Sequence, residues 1–399
     1  MLRPEQKETL LTPSVRRLFE VIAGGGGEAR LVGGAVRDVV LGRPVRDRDL
    51  ATTLPPDRVM ELLIAQGIKV VPTGLAHGTV TAILDRMGYE ITTLRRDVTT
   101  DGRRATVAFT DDWRADAARR DFTLNALYVD AAGNLTDYFE GIADARAGQI
   151  RFIGAASARI QEDVLRILRF FRFYAWFGAG EPDADALTSC RALAPLIPRL
   201  SFERIGREVL KLLAAPSPLS AWRLMHEGDI LPFFAEEAQN LGRLESLLET
   251  EKAINEPPCA LSRLAALLPE EEGAAEQVAG RLKLSNRETE QLKALAVLPI
   301  LIRADPSSQG IRKLVYRYGC QKMRSAVLLE PSGVQESLEI VAAWEGAVFP
   351  LKGRDLLAFG IPATPRLGEI LKDIETWWIE GDFRATRDAC LKKAAALVV

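Results

Sequence analysis

The periodicity of this 399-residue chain changes once, at about residue 152. Before that point short β-branched runs alternate with helical segments; after it helical spacing continues, broken only at Pro or Gly marks such as Gly178 to Pro182 and Pro306 to Gly310. Within the first part, Ala29 to Val32 reads as a short buried strand. Gly78 to Leu84 and Tyr89 to Leu94 read as strands joined by a tight turn at Asp85 to Gly88, and Asp57 to Gln66 as a helix closed by Gly67. Pro13 after Thr12 opens an earlier helix that leaves through Gly24 to Gly27, read as a flexible exit. A single core stops growing at about 250 to 300 residues, so two or more domains are expected. The first part is expected to be α/β and the remainder all-α.

The stretch Leu31 to Thr52 places a diglycine and an arginine ahead of two aspartates one residue apart. Glycines after a strand let backbone N–H groups approach phosphate oxygens, and Arg37 adds a fork of donors. If Asp47 to Thr53 is a strand, Asp47 and Asp49 leave the same face and can share two Mg²⁺ ions. Such a pair activates an attacking hydroxyl and stabilises departing pyrophosphate. An EF-hand loop is excluded, since Thr52 stands where its glycine belongs and Arg58 where its glutamate belongs. No Walker sequence occurs, and the four-glycine run follows a helical segment, so it is no dinucleotide fingerprint.

Composition closes other routes. A hydrophobic share of 47% and a charged share of 27% describe a globular chain, and a formal net charge of −2 leaves nucleic-acid binding to local basic patches. Two histidines, His77 and His226, argue against His-based metal sites and a Ser-His-Asp triad. Cys190, Cys259, Cys320 and Cys390 stand apart and read as reduced core residues. The polar start and short apolar runs lack a signal core or bilayer span, so a cytoplasmic protein with no membrane partner is expected.

Three further segments bear on a site. Arg119 to Tyr128 sets Arg120 and Asp121 ahead of an apolar stretch, either a capped helix start or, beside a triphosphate, a ribose or phosphate clamp. The charged stretch Arg95 to Asp112 around Gly102 reads as a mobile loop. A helix opening at Ser157 would carry Asp163 and Arg166 at i and i+3, close enough to touch, in a run too apolar for surface charges. A carboxylate beside a guanidinium could match the edge of a base. Phe202 to Leu213 reads as an amphipathic helix bracing it.

Together these segments resemble the class II nucleotidyltransferases of the polymerase β superfamily, which include CCA-adding tRNA nucleotidyltransferases and bacterial poly(A) polymerases. The first motif is matched at Gly33, Gly34, Arg37, Asp38, Gly42, Asp47 and Asp49, the second by Arg119 to Ala126, the fourth at Glu162, Asp163, Arg166 and Arg169. The resemblance implies an α+β protein: a polymerase β-like head with a mixed sheet over 1–152, a helical neck over 153–230, and a helical body and tail over 231–399. It implies metal binding by Asp47 and Asp49, with Glu90 as a third catalytic acid and Mg²⁺ as cofactor. Nucleotide contact is implied for Gly33, Gly34, Arg37, Arg120, Asp121, Asn125, Asp163, Arg166 and Arg169, with Asp163 and Arg166 selecting CTP and then ATP. The partners implied are tRNA, CTP and ATP, on a monomer or a dimer. Basic residues such as Arg312, Lys313, Arg317, Lys322 and Arg324 are expected to meet tRNA. A poly(A) polymerase or a partial CC- or A-adding enzyme shares the motifs and stays open as an alternative.

Overall fold

The structure is a computed structural model that describes residues 2–398 apart from 101–104, 331, 359 and 361–364, and describes 97–100, 105–107, 365 and 398 by their backbone. The chain divides into two compact units, Met1–Phe234 and Ala235–Val399.

The first unit opens with α1 (Pro4–Leu10) and α2 (Pro13–Gly24), the latter started by Pro13 and by Thr12, whose Oγ1 accepts from Val15 N–H. Among the described residues nine strands follow in chain order: β1 (Ala29–Val32), β2 (Asp49–Thr52), β3 (Lys69–Gly74), β4 (Thr79–Leu84), β5 (Met87–Thr93), β6 (Arg95–Thr100), β7 (Ala105–Phe109), β8 (Leu127–Val129) and β9 (Leu135–Asp137). Seven form one sheet in the order β3-β4-β5-β2-β1-β8-β9, mixed because β2 and β5 run parallel. Between them lie α3 (Gly34–Val40) after β1, α4 (Pro56–Ala65) after β2 and α5 (Trp113–Ala118) after β7. The β4–β5 hairpin turns on Asp85 and Arg86, both with positive φ (50° and 63°), which matches the right-handed twist of the strands.

The two-residue period of the strands sorts their side chains onto two faces. Leu31, Leu50, Val80, Ile91 and Leu127 join the core under α1 to α4, whereas Val32, Ala51, Leu94 and Tyr128 pack with Trp113 on the other. Each fully buried Leu or Ile contributes about 1.5–3 kcal/mol, enough to hold the register of every strand. The second face is the one that carries the site.

After β9 the unit is helical: α6 (Gly141–Ala147), α7 (Ala156–Glu162), α8 (Arg166–Phe177), α9 (Ala184–Leu193), α10 (Phe202–Leu213) and α11 (Pro218–Glu227). The second unit runs from a helix at Leu241–Ala253 to one at Arg387–Val398; one of its cores gathers Ile374, Trp378 and Cys390 around Tyr316 and Phe383. The α+β class with a mixed-sheet head and helical remainder is therefore what the chain adopts.

Four expectations change. The polar stretch Arg95 to Asp112 is not a plain loop, since β6 and β7 pair as an antiparallel ribbon; its expected centre at Gly102 lies outside the described residues. The helix read from Ser157 through Arg172 is two helices. Asp163 takes extended backbone angles (φ −149°, ψ 105°) and its Oδ1 accepts from Leu165 N–H at 3.1 Å, so this aspartate ends α7 and starts the next turn. Strand β2 begins at Asp49, leaving Asp47 on the approach to it. Cys190 and Cys390 are buried as expected, but Cys320 is exposed at the start of its helix.

Candidate active site

Gly33 joins β1 to α3 with φ +73° and ψ −125°, a backbone region that side chains with a Cβ avoid, and its N–H donates to Leu127 O. The turn aims the start of α3 into a cavity of about 350 Å³ on the second face of the sheet. Among the residues in its wall are Gly33, Gly34, Arg37, Asp49, Glu90, Arg120, Asp121, Asn125 and Arg169, so nine residues singled out in the sequence meet there.

The acids come from neighbouring strands. Leu50 pairs with Ile91 in the parallel β2–β5 ladder, which carries Asp49 alongside Glu90 on one face. The surrounding protein, then Glu90 and Asp47, push the Asp49 carboxyl up to about 6, with Arg120 opposing. The Asp49 side chain nonetheless keeps an exposed edge, open to water or a cation. Asp47 is exposed, outside the cavity wall but close enough to act on Asp49. The negative charge of Glu90 and Asp47 on Asp49 is of the kind a divalent cation would relieve, although among the described residues no three such groups are gathered closely enough to hold a metal ion as they stand.

Opposite the acids, the arginines are held by buried partners. Arg169 reaches Asp121 through Nε at 2.8 Å; Asn125 Nδ2 donates to Asp121 Oδ1 at 3.1 Å; Arg37 Nη1 donates to Asn125 Oδ1 at 2.7 Å. Burial would raise the Asp121 carboxyl, yet Arg169 and these hydrogen bonds hold it below the usual range. Asp121 is thus neither a helix cap nor a free acid. Arg120 is fixed by Tyr128, whose hydroxyl it meets at 3.0 Å, and by Asp116 at 3.1 Å.

A family model described as the Poly A polymerase head domain matches residues 29–151, and one described as the probable RNA and SrmB-binding site of polymerase A matches 181–241. The chain is 33% identical over 404 residues to the mitochondrial CCA tRNA nucleotidyltransferase 1 of Mus musculus, covering 98% of this chain and 92% of that one. It is 32% identical to the CCA-adding enzyme of Streptococcus pneumoniae, covering 93% and 94%. The chain belongs to the CCA-adding tRNA nucleotidyltransferase family. In three dimensions it resembles the Bacillus stearothermophilus CCA-adding enzyme in complex with CTP, with a TM-score of 0.79, 26% identity and coverage of 99% and 98%. The family implies dependence on a divalent metal.

Two residues named for base selection do not meet as the sequence suggested. Asp163 accepts from Arg204 Nη2 at 2.8 Å, while Arg166 pairs with Glu162 and donates to Arg159 O at 2.7 Å. The break at Asp163 turns the two side chains apart, so they do not form one planar pair and neither lines the cavity. The helix α10 does brace α8: Arg204 holds Asp163 and Glu208 holds Arg172 at 2.7 Å. His77 is exposed and offers its carbonyl oxygen to Arg95 Nη1.

Sequence reading missed Asp116 and Arg159. Asp116 is buried on α5 and collects Arg119, Arg120 and the Tyr128 hydroxyl; Arg120 and Arg119 hold its carboxyl low against the cost of burial. Its signal was present, because Arg119 and Arg120 lie three and four residues on, within reach on a helix. Arg159 gives Nη2 to the carbonyl oxygens of Arg119 and Arg120, at 2.8 Å for the latter. No local pattern announces that contact.

Proposed function

We propose that this chain adds C, C and A to the 3′ end of tRNA from CTP and ATP, without a nucleic-acid template, releasing pyrophosphate. The observation that carries the reading is similarity over nearly the whole of both chains to proteins named for CCA addition. Poly(A) synthesis is favoured less, since the two models bearing the polymerase A name match only residues 29–151 and 181–241, whereas the relatives named for CCA addition match nearly the whole chain.

In this reading Asp47, Asp49 and Glu90 are the catalytic acids, and Asp47 and Asp49 hold the cation. That ion, Mg²⁺ in our assignment, supplies a Lewis acid for the departing pyrophosphate when bound. Gly33 and Gly34, without Cβ atoms, let the triphosphate approach the backbone at the start of α3; the Gly33 N–H itself is taken by Leu127 O. Arg37, Arg120 and Arg169 meet its charge, and Asp121 with Asn125 orients the ribose. No histidine base is required. Asp163 and Arg166 select the base, each held in place by its own partner rather than by the other. Residues 1–152 then carry catalysis, 153–230 nucleotide choice and 231–399 the tRNA. Of the basic residues proposed for tRNA, Arg312 and Arg324 are engaged by Asp382 and Glu256, which leaves Lys313, Arg317 and Lys322 as the better candidates. No described helix is long and apolar enough to cross a membrane, and four unpaired cysteines suit a reducing compartment, here assigned as the cytoplasm.

The test is a gel analysis of tRNA lacking its CCA, incubated with CTP, ATP and Mg²⁺. Growth stops after three nucleotides in this reading. A long adenylate ladder would overturn it in favour of poly(A) synthesis, and a halt after CC would mark a partial enzyme.

A further inference from the structure

We infer that a second cavity beside the nucleotide cavity receives the single-stranded 3′ end of the acceptor RNA. The inference rests on the proposed reaction and places that reaction's second substrate. This cavity measures about 460 Å³, and its wall includes Arg37, Arg43, Arg46, Arg172, Trp176 and Phe177. Asp38 pairs with Arg37 and Glu208 with Arg172, so among the described residues Arg43 and Arg46 carry the wall's unbalanced positive charge. Arg37 and Arg43 lie over the Phe177 ring at 4.1 and 4.5 Å, and Arg43 Nη1 donates to Trp176 O at 2.8 Å. Arginines are thereby interleaved with aromatic rings at an open surface. Arg46 is exposed and has no ion-pair partner among the described residues.

Flat rings and guanidinium planes beside excess positive charge suit a single strand, which offers stacked bases and a phosphate backbone together. A nucleoside triphosphate is the rival occupant. Against it, Asp47, Asp49 and Glu90 are absent from this wall, so a triphosphate with its cation has no acidic partner there, whereas Gly33, Gly34 and Arg120 await it next door. The two cavities share Arg37 and Phe173. Their occupants must therefore abut, as a strand end and the nucleotide joined to it must. Arg46 also precedes Asp47 directly, so a strand leaving this cavity is led toward the acids.

The test compares Arg46→Glu, Arg46→Lys, Trp176→Ala and Trp176→Phe with the unmodified protein. Steady-state kinetics on tRNA lacking CCA are read together with anisotropy of a labelled single-stranded RNA ending in CC, without nucleotide. Arg46→Glu and Trp176→Ala should each raise the tRNA KM and the RNA Kd by about tenfold, and Arg46→Glu should reduce the salt slope of binding by about one. The CTP KM should change by less than about twofold, with Arg46→Lys and Trp176→Phe near the unmodified protein and circular dichroism unchanged throughout. A raised CTP KM with unaltered RNA binding would assign the cavity to the triphosphate and overturn the inference. Unaltered values in both assays would overturn it as well. If the unmodified protein adds no nucleotide, the reaction reading fails by itself, while the anisotropy arm still decides whether this cavity holds RNA.

Discussion

Asp49 and Asp116 are two carboxylates of the same head with opposite electrostatic fates. Asp49, pressed by protein, Glu90 and Asp47, is raised to about 6. A raised carboxyl binds its proton more tightly in the folded state, so in metal-free protein its contribution favours folding at low pH and is lost as pH climbs from the unfolded value through about 6. A cation must displace that proton, hence metal binding should weaken as pH falls below 6, which calorimetry across pH 5 to 8 would show. Asp49→Asn should raise the metal-free melting temperature at pH 8 while nucleotide addition drops by at least about 10²-fold. Near-normal turnover in this folded variant would remove Asp49 from the catalytic set. Asp116 is the reverse case, held low by Arg120 and Arg119. Asp116→Asn leaves two guanidinium groups short of a partner and should cost about 3 kcal/mol in urea unfolding, with a rise in CTP KM. A stability loss with an unchanged KM would reduce Asp116 to a purely structural brace.

At the scale of elements, the joint between α7 and α8 ties the later helices of the first unit to its sheet-bearing part. Asp163 ends one helix and is held by Arg204 from α10, while Arg159 and Arg166 of the flanking helices reach carbonyl oxygens of the Arg119–Arg120 segment. The arginines of the cavity wall are thus tied through backbone to the element proposed to choose the base. Asp163→Ala and Arg166→Ala should each shift the ratio of kcat/KM for CTP and ATP over UTP and GTP by about tenfold or more, since lost base-edge hydrogen bonds leave partners unpaired. Unchanged ratios measured on all four nucleotides would return both residues to joint-making alone. Sequence periodicity located α10, because Ile205 and Val209 recur at helical spacing and are buried, and it gave α8 its helical character but not its start. It missed the break, since one aspartate competing for a backbone N–H leaves no periodic trace.

For the whole molecule, two units with separate cores predict unfolding in two steps rather than one. CTP with Mg²⁺ at about 100 times its Kd should stabilise only the step belonging to Met1–Phe234, by about 2.7 kcal/mol. Calorimetry with and without nucleotide checks this, and an equal shift of both steps would mean that the units unfold together. The division of the chain into a strand-bearing head and a helical remainder was legible in the sequence because strand and helix periods differ, and so was the placing of Gly33 and Gly34 after β1. The order of acids and arginines along the chain was legible for the same local reason. Tertiary structure alone decided that Glu90 lies beside Asp49, since strand register joins residues 41 positions apart. It alone also paired Asp163 with Arg204 and Arg166 with Glu162, and set the arginine-rich cavity against the one lined by Asp49 and Glu90. Periodicity is a property of neighbours in sequence, whereas partners, burial and charge crowding arise only when distant segments share one volume.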